Sequence, residues 1–217
     1  RESDAFSNSK KITTFLVKFF TKKSDISVSI GRGLDVLGNY VNDQGQSLDQ
    51  NGAIIDIKDY FLSGGKINID KQREHTYVQI LSKKIVEEYY KINRVYSSHL
   101  VAYTAFKMLE RKNSKLDLYS ILRLSEEDLT LDYEAFKIKF KKLKGVILLL
   151  NEQGKIDVNE KFKSTADESI IYGLNNVGMY HAKRPLIKSK DEIMILNAST
   201  LYYYHNRLEG YGLEKYI

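Results

Sequence analysis

Ser97-Ser98-His99-Leu100-Val101-Ala102-Tyr103-Thr104-Ala105-Phe106-Lys107-Met108-Leu109-Glu110-Arg111-Lys112 is the stretch that decides the fold. A serine at its start supplies a helix cap. Leu100, Val101, Tyr103, Phe106, Met108 and Leu109 then place apolar side chains nearly all round the helix. A helix with no polar face belongs inside a core, so other elements must surround it. The flanking sequence supplies them. Asp70 caps a helical pattern over 70–93, with Val78, Leu81, Ile85, Tyr89 and Ile92 on one face. Downstream, the periodicity predicts a short helix over 116–122 and a long one over 132–151 closed by Glu152-Gln153-Gly154. A short strand over 155–158, a helix over 166–177 ending near Gly178 and a hairpin over 185–196 turning at Ser189-Lys190-Asp191 come next. A tyrosine-rich helix closes the chain. The class is mainly α with small β elements (α+β).

The 217 residues suffice for one large domain or two small ones, and 42% hydrophobic content can fill a core. A single proline and 16 tyrosines argue for a folded helical protein and against disorder. The absence of cysteine excludes a disulfide framework and a thiolate zinc site. Four scattered histidines make a poor metal centre, so neither metal nor cofactor is expected. The longest apolar run, 146–150, falls far short of the roughly 20 residues that cross a bilayer. Arg1-Glu2-Ser3-Asp4 does not read as a signal peptide. A net charge of +6 suits phospholipid headgroups, phosphates or nucleic acid.

Toward the N-terminus, Ile12, Phe15, Leu16, Phe19 and Phe20 form one helical face, flanked by Lys10, Lys11, Lys22 and Lys23. Such a helix either lies in a membrane interface or packs on a sheet. Ile26-Ser27-Val28-Ser29-Ile30 alternates as a strand with one buried face, ended by Gly31-Arg32-Gly33. Residues 35–53 are dense in turn-formers and read as a long loop, with no internal repeat evident. The chain is divided at Gly64-Gly65 into segments 1–65 and 66–217.

Several polar clusters are candidates for chemistry. His205, Asn206 and Arg207 beside Tyr202, Tyr203 and Tyr204 either contact phosphate through the Arg207 fork or pack structurally, with Arg207 paired to a carboxylate. His181, Lys183 and Arg184 form a basic cluster, solvated or anion-contacting. His99 is either a base or a hydrogen-bonded cap. Lys137, Lys139, Lys141, Lys142 and Lys144 raise a rival class. Three helices (100–112, 116–122, 132–151), a short strand and a hairpin are winged-helix-like in order, with the lysine helix as a basic recognition helix. Phe136, Ile138, Phe140 and Leu143 interleave with those lysines, and lysine without arginine is poor at reading base edges, which disfavours nucleic acid and leaves a scaffold or oligomerisation module as the further alternative.

Three segments carry a family resemblance: Ser97-Ser98-His99-Leu100-Val101-Ala102, Leu174-Asn175-Asn176-Val177-Gly178-Met179-Tyr180-His181, and the tail from Leu201-Tyr202-Tyr203-Tyr204-His205-Asn206-Arg207 to Glu214. Together they resemble the C-terminal region of bacterial glycerol-3-phosphate acyltransferases, nearest a Bacteroidetes-type branch. Ser27-Val28-Ser29-Ile30-Gly31 resembles the last strand of that family's catalytic sheet, except that Arg32-Gly33 stands where Glu-Pro is usual. Leu48 to Gly52 and Ile55 to Phe61 resemble its connector. The resemblance implies a peripheral enzyme at the cytoplasmic face of the inner membrane. Its reaction moves a fatty acyl group from acyl-CoA or acyl-ACP to glycerol-3-phosphate, or to its lyso product, in phospholipid biosynthesis.

The family's catalytic His-x-x-x-x-Asp is not matched. Five residues after His75, His99, His181 and His205 stand Ile80, Thr104, Leu186 and Gly210. The implied active centre therefore lies before Arg1. On this view 1–65 is a helix-strand remnant of an α/β acyltransferase domain plus a connector, and 66–217 is a helical accessory domain. The expected partners are the catalytic domain, its acyl-donor and glycerol-phosphate substrates, and an anionic membrane surface. Arg32, His181, Lys183, Arg184, His205 and Arg207 are the candidate anion contacts.

Overall fold

A computed structural model describes residues 27–181 and 183–217, with residues 12, 13, 16, 17, 20 and 21. The last six are helical and exposed, Phe20 at 79%. Lys10, Lys11, Phe15, Phe19, Lys22 and Lys23 lie outside the described residues. The chain forms two compact units, Val28–Asn93 and the remainder.

Within Val28–Asn93 the loop over 35–53 is a repeat of seven residues that the sequence reading missed. Asp35, Asn42 and Asp49 each accept at Oδ1 from the backbone N–H groups two and four residues on. Gly38, Gly45 and Gly52, three residues after each, take φ of +87°, +77° and +84°, where a side chain would be strained. Bridges Leu34–Tyr40, Val41–Ser47 and Leu48–Ile54 close the three turns in register. A hairpin follows, β1 (Leu62–Ser63) with β2 (Lys66–Ile67), turning on Gly64-Gly65. Helix α1 (Lys71–Ile92) starts where Asp70 accepts from the N–H groups of Gln72 and Arg73. Tyr40 donates to Glu88 at 2.6 Å, and Gly38 lies against Leu81 and Lys84. Those ties bind α1 to the turns, so the compact unit ends at Asn93 rather than at residue 65.

This unit buries one apolar side chain, Leu37. Val28 and Ile30 are 81% and 89% exposed, and residues 27–30 pair with no strand among the described residues. The α1 face read as core-seeking is open at Val78, Ile85 and Tyr89.

The larger unit is built round α2 (Ser97–Lys112), whose residues 100–106 are all buried. It contains α3 (Leu118–Ile121), α4 (Tyr133–Glu152, capped by Asp132), α5 (Ala166–Asn176) and α6 (Ala198–His205). Strands β3 (Arg94–Val95) and β5 (Asp157–Val158) pair in parallel, clamped by Arg94 and Asp157 at 2.6 Å. Strand β4 (Thr130–Asp132) lies beside β7 (Glu192–Ile195), which pairs with β6 (Leu186–Ser189) across the turn at Lys190.

The order helix, strand, two helices and hairpin, with β4 beside the second hairpin strand, is winged-helix connectivity. Counted in that order, which leaves out the one-turn α3, the third helix is not the lysine-rich α4 but α5. That helix holds Asp167 and Glu168 in its first turn and neither lysine nor arginine, which suits it badly for a phosphate backbone. The α4 lysines are partly consumed internally. Lys144 is buried, donating to Ser164 O and, at 2.7 Å, to Ser169 Oγ; Lys137 pairs with Asp167 at 2.5 Å.

Candidate functional site

The three distinctive segments meet at the first turn of α2. Asn197 caps α6 by accepting from the N–H of Thr200 at 2.7 Å. Successive tyrosines then fan out at about 100° intervals. Tyr202 turns inward onto Phe106, Tyr203 outward, and Tyr204 toward the edge of His181, with ring centroids 5.8 Å apart. A 3-10 turn, Asn206–Leu208, buries Leu208 and leaves Asn206 and Arg207 on the surface.

Two open depressions adjoin there. One, of about 480 Å³, is lined by His99, Tyr203, Tyr204, Asn206 and Arg207. The other, of about 180 Å³, is lined by Tyr96, Ser98, Tyr172, Asn176, Met179 and Tyr180 and shares Tyr204. Tyr96, Tyr172 and Tyr180 were missed because they come from separate elements, and no spacing in the sequence signals their convergence.

His99 is the half-buried hinge of this site. Its Nδ1 accepts from the backbone N–H of Tyr96 at 3.3 Å, which is one half of a capping box; the cap residue is Tyr96, whose side chain makes no capping bond, and not the serine expected from the sequence. Burial, reinforced by Arg207, pulls its pKa down to about 4. The ring is neutral at pH 7 with its proton on Nε2, so it offers the cleft a donor and not a base.

His205 behaves oppositely. It is 1% exposed, packed on Phe106 with centroids 4.3 Å apart. Its Nδ1 donates to Tyr202 O at 2.6 Å and its Nε2 meets Glu209 Oε1 at 2.7 Å. Burial lowers its pKa against those two hydrogen bonds, which favour the cation. Glu209 stays ionised despite burial because Lys107, 2.7 Å away, and His205 hold it low. His205 has a carboxylate but no free nitrogen and no opening. It is a structural residue, not the anion contact expected for it.

The remaining candidates are dispersed. Arg32 stacks on Tyr40 at 4.0 Å in the Val28–Asn93 unit. His181, Lys183 and Arg184 are exposed, His181 against Tyr204. His75 is exposed on α1, its Nε2 2.9 Å from Gln79 Nε2. Among the described residues no histidine combines an orienting acid with access to a cleft. None of them cluster three or more metal-ligating side chains. No described helix is long and apolar enough to cross a membrane. No family model matches the chain, and comparison with curated proteins and with solved structures finds no relative.

Proposed function

We propose that this chain is the non-catalytic C-terminal portion of a glycerol-3-phosphate-type acyltransferase that works at a membrane surface. In that reading the catalytic His-x-x-x-x-Asp sits in a preceding domain. Val28–Asn93 docks on that domain, and the helical unit flanks the entrance for acyl donor or glycerol phosphate. Packing against a catalytic partner is the job that suits an α+β module in which no described histidine combines an orienting acid with access to a cleft.

One observation carries the reading. Val28–Asn93 is a 66-residue unit with a single buried apolar side chain, while Val28, Ile30, Ile69, Val78 and Tyr89 face outward. A unit of that size needs most of its apolar surface buried to be stable, so its faces need a partner. The unpaired Val28–Ile30 segment, with the alternation of a strand, fits the edge of a sheet supplied by that partner.

The chain incubated with palmitoyl-CoA and glycerol 3-phosphate is expected to form no lysophosphatidic acid. Turnover that scales with protein concentration would overturn the non-catalytic assignment.

A further inference from the structure

The third turn of the seven-residue repeat differs from the other two in the residue before its glycine. Leu37 precedes Gly38 and Gln44 precedes Gly45, whereas Asn51 precedes Gly52. No other asparagine in the chain is followed by glycine. A carboxamide one methylene from the main chain can be attacked by the backbone nitrogen of the next residue, closing a five-membered ring. A side chain on that next residue hinders the approach, and glycine has none. Gln44, with one methylene more, would close a six-membered ring by a slower path, so the second turn is an internal control. The surroundings leave Asn51 free to react. Asn51 and Gly52 are exposed, and no bond among the described residues holds the Asn51 carboxamide. A Cβ built on Gly52 would meet nothing within 4 Å, whereas one on Gly38 would lie 3.4 Å from Leu81 and Lys84 of α1. Two hydrogen bonds restrain the turn: Asn51 N–H donates to Asp49 Oδ1 at 2.8 Å, and Gly52 N–H to Asp49 O at 3.1 Å. The second must break before the Gly52 nitrogen can attack, and an exposed turn with few buried contacts opens at low free-energy cost. Asn113, which precedes Ser114 at the end of α2, is the contrast, because its amide is tied to Leu109 O at 2.9 Å.

We propose that Asn51 is a site of spontaneous modification in the folded protein, losing its side-chain amide through a cyclic imide shared with Gly52. The Gly52 nitrogen bonds to Asn51 Cγ as the Cγ–Nδ2 bond breaks, and the departing amide nitrogen takes up the proton of Gly52 and leaves as ammonia. Water then opens the imide at either carbonyl, giving aspartate or isoaspartate at position 51 with no oxidation or reduction. Both products add a negative charge beside Asp49. Isoaspartate also adds a methylene to the main chain between the N–H groups of Asn51 and Ala53, which Asp49 Oδ1 holds together at 2.8 Å each. That insertion breaks the register of Leu48 with Ile54, so the third turn loosens while the first two keep theirs. Gln50 and Gly52 line a groove with Ile80, Lys83 and Lys84 of α1, so the change reaches that face. The chemistry needs no catalytic domain and stands apart from the acyltransferase reading.

The test is to age the whole chain in mildly alkaline buffer, digest it at acid pH and map the peptides by mass spectrometry. A sample kept unfolded in guanidinium chloride sets the duration, and ageing continues until that sample has lost the Asn51 amide. Over the same time the folded chain is expected to gain an acidic form carrying one added negative charge. Position 51 should be modified ahead of every other asparagine, with Gln44 intact, and an isoaspartate-specific methyltransferase should label it. Amide hydrogen exchange at Ala53 should quicken in the aged protein. Asn51→Gln, which keeps the amide and forbids the five-membered ring, is expected to lose the acidic form, to keep Ala53 exchange unchanged on ageing and to melt like the parent. Retention of the Asn51 amide in the folded chain over that period, earlier modification of another asparagine, an undiminished acidic form in Asn51→Gln, or parent Ala53 exchange untouched by ageing would each overturn the proposal.

Discussion

Gly173→Val is expected to destabilise the helical unit by about 3 kcal/mol or more, lowering its melting temperature by roughly 10 °C. Helix α5 crosses α2 at this residue. A Cβ there would stand 2.5 Å from Val101 Cγ2, 2.6 Å from Ser97 O and 2.9 Å from Ser97 C. Two of those atoms are backbone in the first turn of α2, and Ser97 and Val101 are both fully buried. A flexible side-chain tip could swing aside; this backbone cannot move without displacing Tyr96 and His99 from the cleft. Gly145 in α4 is the contrasting control. Nothing lies within 4 Å of a Cβ built there, so Gly145→Ala should gain about 0.5–1 kcal/mol from helix propensity. Thermal melts of the two variants read both signs. A Gly173→Val protein as stable as the parent would mean that the α2–α5 crossing is wrongly placed.

Acid should unfold the protein partly through His99. Its folded pKa of about 4 lies below the ordinary 6.5, so the folded state disfavours its proton. The corresponding stability is fully present above pH 6.5 and is lost as pH falls toward 4. The full shift would be worth about 3 kcal/mol; the solvent in the cleft reduces that to about 2 kcal/mol. His205 is also lowered and titrates on the same side, as do carboxylates at lower pH. Comparison with His99→Gln therefore isolates the residue, because glutamine can still accept from the N–H of Tyr96 but cannot titrate. Urea denaturation at pH 7 and pH 4.5 should show a smaller acid loss in the variant. An identical loss in both proteins would remove His99 from the account.

What the sequence revealed follows from local physics. The all-round apolar pattern of Leu100 to Leu109 announced a core helix, and residues 100–106 are buried. Asp70 announced a cap, and it accepts the N–H bonds a cap should. The turn at Ser189-Lys190-Asp191 needed one left-handed residue, and Lys190 has φ +50°. What stayed hidden depends on distant contacts. Two-residue strands β3 and β5 carry no periodicity long enough to read. The seven-residue repeat was masked by its own turn-formers, since every position looked like loop. Lys144 read as one of a solvated row, yet carbonyls from the α5 entry draw it inward. His205 and Arg207 stand two letters apart and were grouped as one polar cluster. The 3-10 turn between them sends one into the core and the other to the cleft. The three segments that meet at the site were recognisable singly. Their meeting was not, because it depends on the packing of α5 and α6 against α2.

Reading the gene upstream of the codon for Arg1 puts the proposed assignment most directly at risk. The account predicts an in-frame sequence containing His-x-x-x-x-Asp within an α/β pattern whose last strand is completed by Val28 to Ile30. A stop codon immediately upstream, or an in-frame domain without that base-and-acid pair, would contradict it.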